Sequence, residues 1–248
     1  MNFEMMFLAA QQQGGFQGIG FGYWALIIGT MVVSTLISGT LKRRFQEYSQ
    51  IPTNLTGAQA AEAMLREHGI HDVKVIHTPG QLTDHYDPTN KTVNLSEPVY
   101  AMNTVAAVAV AAHECGHAVQ HKEAYAWLGF RSKMVPAVQF ASGMQNFLMM
   151  LMIFGVLVFQ GGGTVFIWAF LGTMAVTTLF TVVTLPVEFD ASNRALAWIE
   201  KSGAANRMQH EKAKNALFWA AMTYVAAAVG AIAQLAYWAA MLLGSAKQ

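Results

Sequence analysis

Four long apolar stretches dominate the chain, running from about Phe21 to Leu41, Val135 to Phe159, Thr164 to Val187 and Ala216 to Leu243. Each reaches the roughly 20 residues a helix needs to cross about 30 Å of hydrocarbon. Buried helices of a soluble protein are the alternative reading. Four such stretches leave too little polar chain to cover them, so the pattern predicts membrane spans. Only Glu4 precedes the first stretch, and Lys42, Arg43 and Arg44 follow it. A signal peptide has the reverse polarity, so this stretch reads as an anchor with its N-terminus outside. Lys42, Arg43, Arg44, Lys122, Arg131 and Lys133 lie between the first two stretches, and Arg194, Lys201, Arg207, Lys212 and Lys214 between the last two. The connection Gln160-Gly161-Gly162-Gly163 carries no charge. Positive charge stays in the cytoplasm. Both charged segments are therefore expected there and both termini outside, with Lys247 dissenting.

The expected organisation is an external segment 1–20, a first span 21–41, a cytoplasmic domain 42–134, a second span 135–159, a third span 164–187, a cytoplasmic segment 188–215 and a fourth span 216–243. In the soluble part, Thr56-Gly57-Ala58 opens a helical pattern through Ala61, Met64 and Leu65 that ends near Gly69. Val73–His77, Leu82–Tyr86 and Thr92–Leu95 read as strands. The last two flank Asp87-Pro88-Thr89-Asn90, a turn-rich stretch, and so predict a hairpin. Asn94 or Ser96 is expected to cap a following helix that runs to about Lys122. The fold class is thus mainly α, an integral membrane protein of about four transmembrane helices, with a small α+β domain carrying a three-stranded sheet.

Composition agrees. The 248 residues are 54% hydrophobic and 12% charged, where a soluble domain carries roughly 25% charged residues. A net charge of +1 gives no electrostatic case for a nucleic-acid partner. Cys115 is the only cysteine, which excludes an internal disulfide and a Cys-x-x-Cys metal site.

Residues 113–117 read His-Glu-Cys-Gly-His. Residues four apart share a helix face, so His113 and His117 can hold one zinc ion. Glu114 stands beside the metal as the general base that takes a proton from zinc-bound water and returns one to the leaving amine. Two surface histidines beside a glutamate would look the same. However, the Ala/Val-rich turns from Val105 to Ala112 should be buried, and burying an ionisable cluster without a metal is costly. A catalytic zinc takes a third protein ligand. His121 lies about 12 Å along the axis from His113, too far for a straight helix. Glu188, at the cytoplasmic end of the third stretch, is the better candidate, and Asp190, about 200° round the helix, is the alternative. Cys115 should pack away from the metal, and Gly116 should admit a close neighbour behind the helix.

His-Glu-x-x-His followed much later by Glu-Phe-Asp-Ala resembles the glutamate-zincin membrane proteases, including the bacterial heat-shock membrane protease and the CAAX prenyl protease. A closer resemblance is to the YugP-like neutral zinc metallopeptidases. It is carried by Leu82-Thr83-Asp84-His85-Tyr86-Asp87-Pro88, Ala111-Ala112-His113-Glu114-Cys115-Gly116-His117-Ala118 and Leu185-Pro186-Val187-Glu188-Phe189-Asp190-Ala191-Ser192. The resemblance implies a zincin-like domain, His113, His117 and Glu188 as ligands of one Zn2+ per chain, and Glu114 as catalytic base. The wider pattern has an Asp four residues after the ligand Glu, where it orients a ligand histidine. This chain has Ser192 there, so Ser192, Asn193 or another group must do so.

The expected function is a zinc-dependent endopeptidase at the cytoplasmic membrane face, acting on polypeptide, membrane proteins among its substrates. The alternatives are a metal-binding scaffold or chaperone-like adaptor, and an intramembrane protease. A zinc protease must hold its substrate extended, most simply by adding it to a sheet edge. Leu82, Thr83, Asp84, His85 and Tyr86 are the expected edge strand, with His85 or Tyr86 reaching the oxyanion.

Overall fold

The computed structural model describes residues 21–155 and 163–245. The chain is mainly helical: α1 (Phe21–Tyr48), α2 (Gly57–Glu67), β1 (Lys74–Thr78), β2 (His85–Asp87), β3 (Thr92–Ser96), α3 (Glu97–Tyr100), α4 (Val105–Lys122), α5 (Ala126–Gly155), α6 (Gly163–Ser202) and α7 (Arg207–Ser245). Expected residues 1–20, and the uncharged connection before Gly163, lie outside the described residues.

Among the described residues, three helices are long and apolar enough to cross a membrane: Gly22–Tyr48, Val165–Ser202 and Arg207–Leu243. The second expected span, 135–159, falls on α5. Gln139, Gln145 and Asn146 dilute the apolar run of its described part, and the rest of that span lies beyond Gly155. Large apolar side chains face outward on these helices, among them Trp24, Met31 and Leu36 on α1, Phe140 and Phe147 on α5, Val165 and Trp168 on α6, and Val229 on α7. The outward threonines of α1 return their hydroxyls to their own helix: Thr35 donates to the Met31 carbonyl and Thr40 to that of Leu36, each at 2.8 Å. Helix-internal pairing of this kind is what a bilayer demands of a polar group.

The expected boundary between the third span and the segment after Val187 falls inside one helix. α6 continues through Pro186 to Ser202, so an arm about 60 Å long carries Glu188 rigidly. The fourth expected span likewise continues backward to Arg207.

The core of the polar part wraps α4, which is buried nearly all round. Ala60, Ala61, Met64 and Leu65 of α2, Val93 and Leu95 of β3, Ala195, Trp198 and Ile199 of α6, and Ala213, Ala216 and Leu217 of α7 pack in one cluster with it. α2 begins as expected, with a capping box in which Thr56 and Gln59 satisfy each other's backbone N–H. It ends at Glu67, two residues before Gly69, whose φ of 64° lies in the left-handed region that favours glycine. Trp198 Nε1 donates to Glu67 Oε2 at 3.0 Å and ties α6 to α2.

Two corrections concern the approach to α4. The expected single helix after β3 is two, because Ser96 precedes only the short α3, where its side chain makes no capping bond. Its hydroxyl and its N–H instead donate to Asp84. The cap of α4 is Thr104, whose side chain accepts from the Ala107 N–H at 3.3 Å. The strand expected from Leu82 is shorter, because Leu82 has φ 58°, a left-handed conformation that no strand accommodates, and Asp84 turns inward to Ser96. Only His85–Asp87 pairs.

The sheet order is β1-β3-β2. β2 and β3 form the expected antiparallel hairpin, with His85 opposite Asn94 and Asp87 opposite Thr92. Asp87 Oδ1 closes its turn by accepting from the Thr89 and Asn90 N–H groups. β1 runs parallel to β3, so β2 is an edge.

α4 and α6 touch at Gly116. A Cβ there would lie 2.5 Å from the Ala191 carbonyl oxygen and 3.0 Å from its Cα. The close neighbour is therefore real, but it lies on the histidine side of α4, about 60° from His113, rather than behind the helix. Gly116→Ala is expected to destabilise the fold by about 1–3 kcal/mol through overpacking, measured as a shift in denaturant midpoint. An unchanged midpoint would show that the helices can part freely there.

Candidate metal centre

His113 and His117 lie one turn apart on α4, with ring centroids 4.9 Å apart and nearly perpendicular planes. The α4–α6 contact at Gly116 and Ala191 brings Glu188 against them. Glu188 Oε2 is 3.3 Å from His113 Nε2 and 3.6 Å from His117 Nε2. The three residues form a cluster whose ligand atoms lie within 4.8 Å of one another. Ligands at about 2.0–2.1 Å from a tetrahedral zinc stand about 3.4 Å apart, so the spacing suits that ion.

The donor chemistry suits it as well. Glu188 is 3% exposed, and its Oε2 is buried without a hydrogen-bond partner. Each histidine is engaged at its other nitrogen: His113 Nδ1 lies 3.1 Å from the Ser192 hydroxyl and His117 Nδ1 3.0 Å from Gln120 Oε1. Both Nε2 atoms therefore turn toward an orphaned carboxylate oxygen, an arrangement that calls for a cation among them. Burial opposes charge on His117, yet Glu188, Glu114 and Gln120 together hold its pKa above the ordinary histidine value. The same field that favours a proton there favours a metal ion.

Glu114, buried at 9% exposure, is an electrostatic neighbour of His117. Asp190, the alternative third ligand, is turned elsewhere: its Oδ2 accepts from Gln120 and Arg194 at 2.8 and 2.6 Å. Ser192 stands at His113 and Asn193 is exposed; both line a cavity of about 310 Å³ between α6 and α7 with Phe189, Leu196 and Phe218. Cys115 is fully buried on the opposite side of α4, where its thiol faces the Ala61 carbonyl, and burial pushes its pKa well up.

Of the expected edge strand, Leu82, Thr83 and Asp84 lie in the loop before it, and His85 and Tyr86 lie in β2. His85 Nδ1 is 2.7 Å from the Thr83 carbonyl oxygen. The Tyr86 hydroxyl is 2.9 Å from Nδ1 of His121, which ties the edge strand to the motif helix one turn beyond His117.

Three residues escaped the sequence reading. Gln120 follows His117 by three positions, a spacing that places it one turn on and could have been noticed. Arg131 of α5 sets Nη1 3.4 Å from Glu188 Oε1. Tyr224 of α7 has Glu188, Glu114 and Arg131 as its charged neighbours. Nothing local marks either of these, since helix packing alone delivers them.

His113, His117 and Glu188 together could hold a metal ion, and two histidines with one carboxylate is a ligand set that catalytic zinc sites use. The chain belongs to the family described as "Putative neutral zinc metallopeptidase", which matches residues 23–243. It is 39% identical over 213 residues, 85% of this chain and 92% of the relative, to the "Putative membrane protease YugP" of Bacillus subtilis (strain 168). No solved structure matches it.

Purified protein is expected to carry about one zinc per chain, read by elemental analysis. His113→Ala, His117→Ala and Glu188→Ala should each lose most of it, and Cys115→Ala should keep it. Full occupancy in Glu188→Ala would take that residue out of the centre.

Proposed function

We propose that the protein is a membrane-embedded, zinc-dependent endopeptidase working at the cytoplasmic face. The observation that carries this reading is the convergence of His113, His117 and Glu188, with Glu114 adjoining them. A zinc ion held by the three ligands would polarise the scissile carbonyl and acidify an attacking water. Glu114 takes the proton released by that water and delivers it to the leaving amine. Arg131 holds Glu188 from its other side, and Ser192 and Gln120 set the two imidazoles. A purely structural metal site has no use for Glu114, which favours an enzyme over a scaffold.

The substrate is an extended polypeptide that adds to β2. That strand is an edge, it is short and polar, and Tyr86 joins it to α4 beside the centre. Successive residues of a strand turn their N–H groups to opposite edges. One of His85→Pro and Tyr86→Pro should therefore raise KM while zinc is retained; unchanged kinetics in both would mean that substrate enters elsewhere.

The basic residues after α1 and around the α6–α7 turn support a reading with this part of the chain in the cytoplasm and both termini outside. A label at Ser202 reached only from outside intact cells would invert that arrangement.

Glu114→Gln tests the chemistry. It should keep the metal, because Glu114 is not a ligand, and lose cleavage of an unfolded protein substrate in detergent by at least about 100-fold. Cleavage at the wild-type rate would remove Glu114 as the base.

A further inference from the structure

We infer that Gln120 and Asp190 form a positioning relay that fixes the tautomer and direction of His117; the inference rests on the metal-centre reading above. Gln120 is fully buried. Its Nε2 donates to the Val187 carbonyl oxygen and to Asp190 Oδ2, both at 2.8 Å. Its Oε1 lies 3.0 Å from His117 Nδ1.

An amide has two N–H donors on nitrogen and only acceptors on oxygen. Val187 O and the Asp190 carboxylate are both acceptors. Turned over, the amide would set its oxygen against two other oxygens and its N–H groups against His117. Its orientation is therefore forced by what α6 presents. With Oε1 on His117, Nδ1 carries a proton, so in the neutral ring it is Nε2 that keeps the lone pair, directed at Glu188 and the metal position. A neutral histidine donating from one ring nitrogen and ligating through the other is what a zinc site requires.

Asp190 thus serves the centre without entering it. Many ligand histidines donate straight to a carboxylate; here the carboxylate acts through an intervening amide. Arg194 holds Asp190 in place at 2.6 Å from Oδ2, and its Nη1 is in turn 2.6 Å from Glu123 Oε2 at the end of α4. The relay also joins the two ligand-bearing helices, since Gln120 is on α4 and both its acceptors are on α6.

The test is a cobalt(II) titration of the full chain in detergent, against a competing chelator and read on the visible d–d bands, with metal-free melting curves alongside. Gln120→Leu should weaken binding about 10–100-fold and change the bands. Asp190→Ala should weaken it less, in the same direction. In the Gln120→Leu background Asp190→Ala should cost no further affinity, because its effect passes through Gln120. A Gln120→Leu variant that melts earlier when metal-free, yet binds cobalt with wild-type affinity and bands, would make Gln120 a packing residue and overturn the relay. Additive losses would overturn it too, by showing that Asp190 acts on its own. If Gln120→Leu fails to fold, Asp190→Ala decides, and wild-type affinity in that variant rejects the relay. Absence of cobalt binding by the wild type would strike the metal centre itself, an outcome separate from all of these.

Discussion

Everything in the site depends on how closely α4 and α6 approach at Gly116 and Ala191. His113 and His117 sit on α4, and Glu188 reaches their Nε2 atoms at 3.3 and 3.6 Å only because a glycine lets the Ala191 backbone lie against the helix. A side chain at 116 would push α6 outward, and separation by even a methyl group's width would take the carboxylate out of ligand range. Gln120 then bonds across the same contact to Val187 and Asp190. Steric permission and polar cross-linking act on one seam.

That seam also explains how a helix long and apolar enough to cross a membrane carries one residue of the candidate metal centre. α6 is unbroken from Gly163 to Ser202. Its first half is an apolar candidate span, and its second half is packed into the core through Ala195, Trp198 and Ile199. Because a helix is stiff over this length, the position of Glu188 is referred to the apolar helices as much as to the polar domain. α5 and α7 contribute Arg131 and Tyr224 by the same geometry. The candidate centre lies where three long helices meet α4, and the residues around it are drawn from all of them.

Much of this was legible in the sequence. The spacing of His113 and His117 implies a shared helix face, and the apolar runs placed Glu188 on the same side as the motif. Asp190 could not be dismissed from spacing alone, because that required knowing which face of α6 meets α4. The hairpin was readable from Asp87-Pro88-Thr89-Asn90, but the start of β2 was not, since the left-handed turn at Leu82 and the inward reach of Asp84 to Ser96 are tertiary choices that override local propensity. The parallel placement of β1 beside β3 has no local signature at all. The helix break before Thr104 was hidden because Ser96 looks like a cap and is instead spent on Asp84. Ser192 was one of the groups, with Asn193, that the family resemblance left to orient a ligand histidine, and the structure sets Ser192 at His113; Gln120 was readable from its spacing to His117, whereas Arg131 and Tyr224 emerge only when helices pack.

The central claim is a mononuclear centre made by two imidazoles and one carboxylate. X-ray absorption at the zinc edge of the metal-loaded protein tests it most directly. The account predicts a first shell of nitrogen and oxygen at about 2.0–2.1 Å, with the outer-shell scattering of two imidazoles and no sulfur. A sulfur shell at about 2.3 Å, which only Cys115 or a methionine could supply, or the signature of a single imidazole, would contradict it.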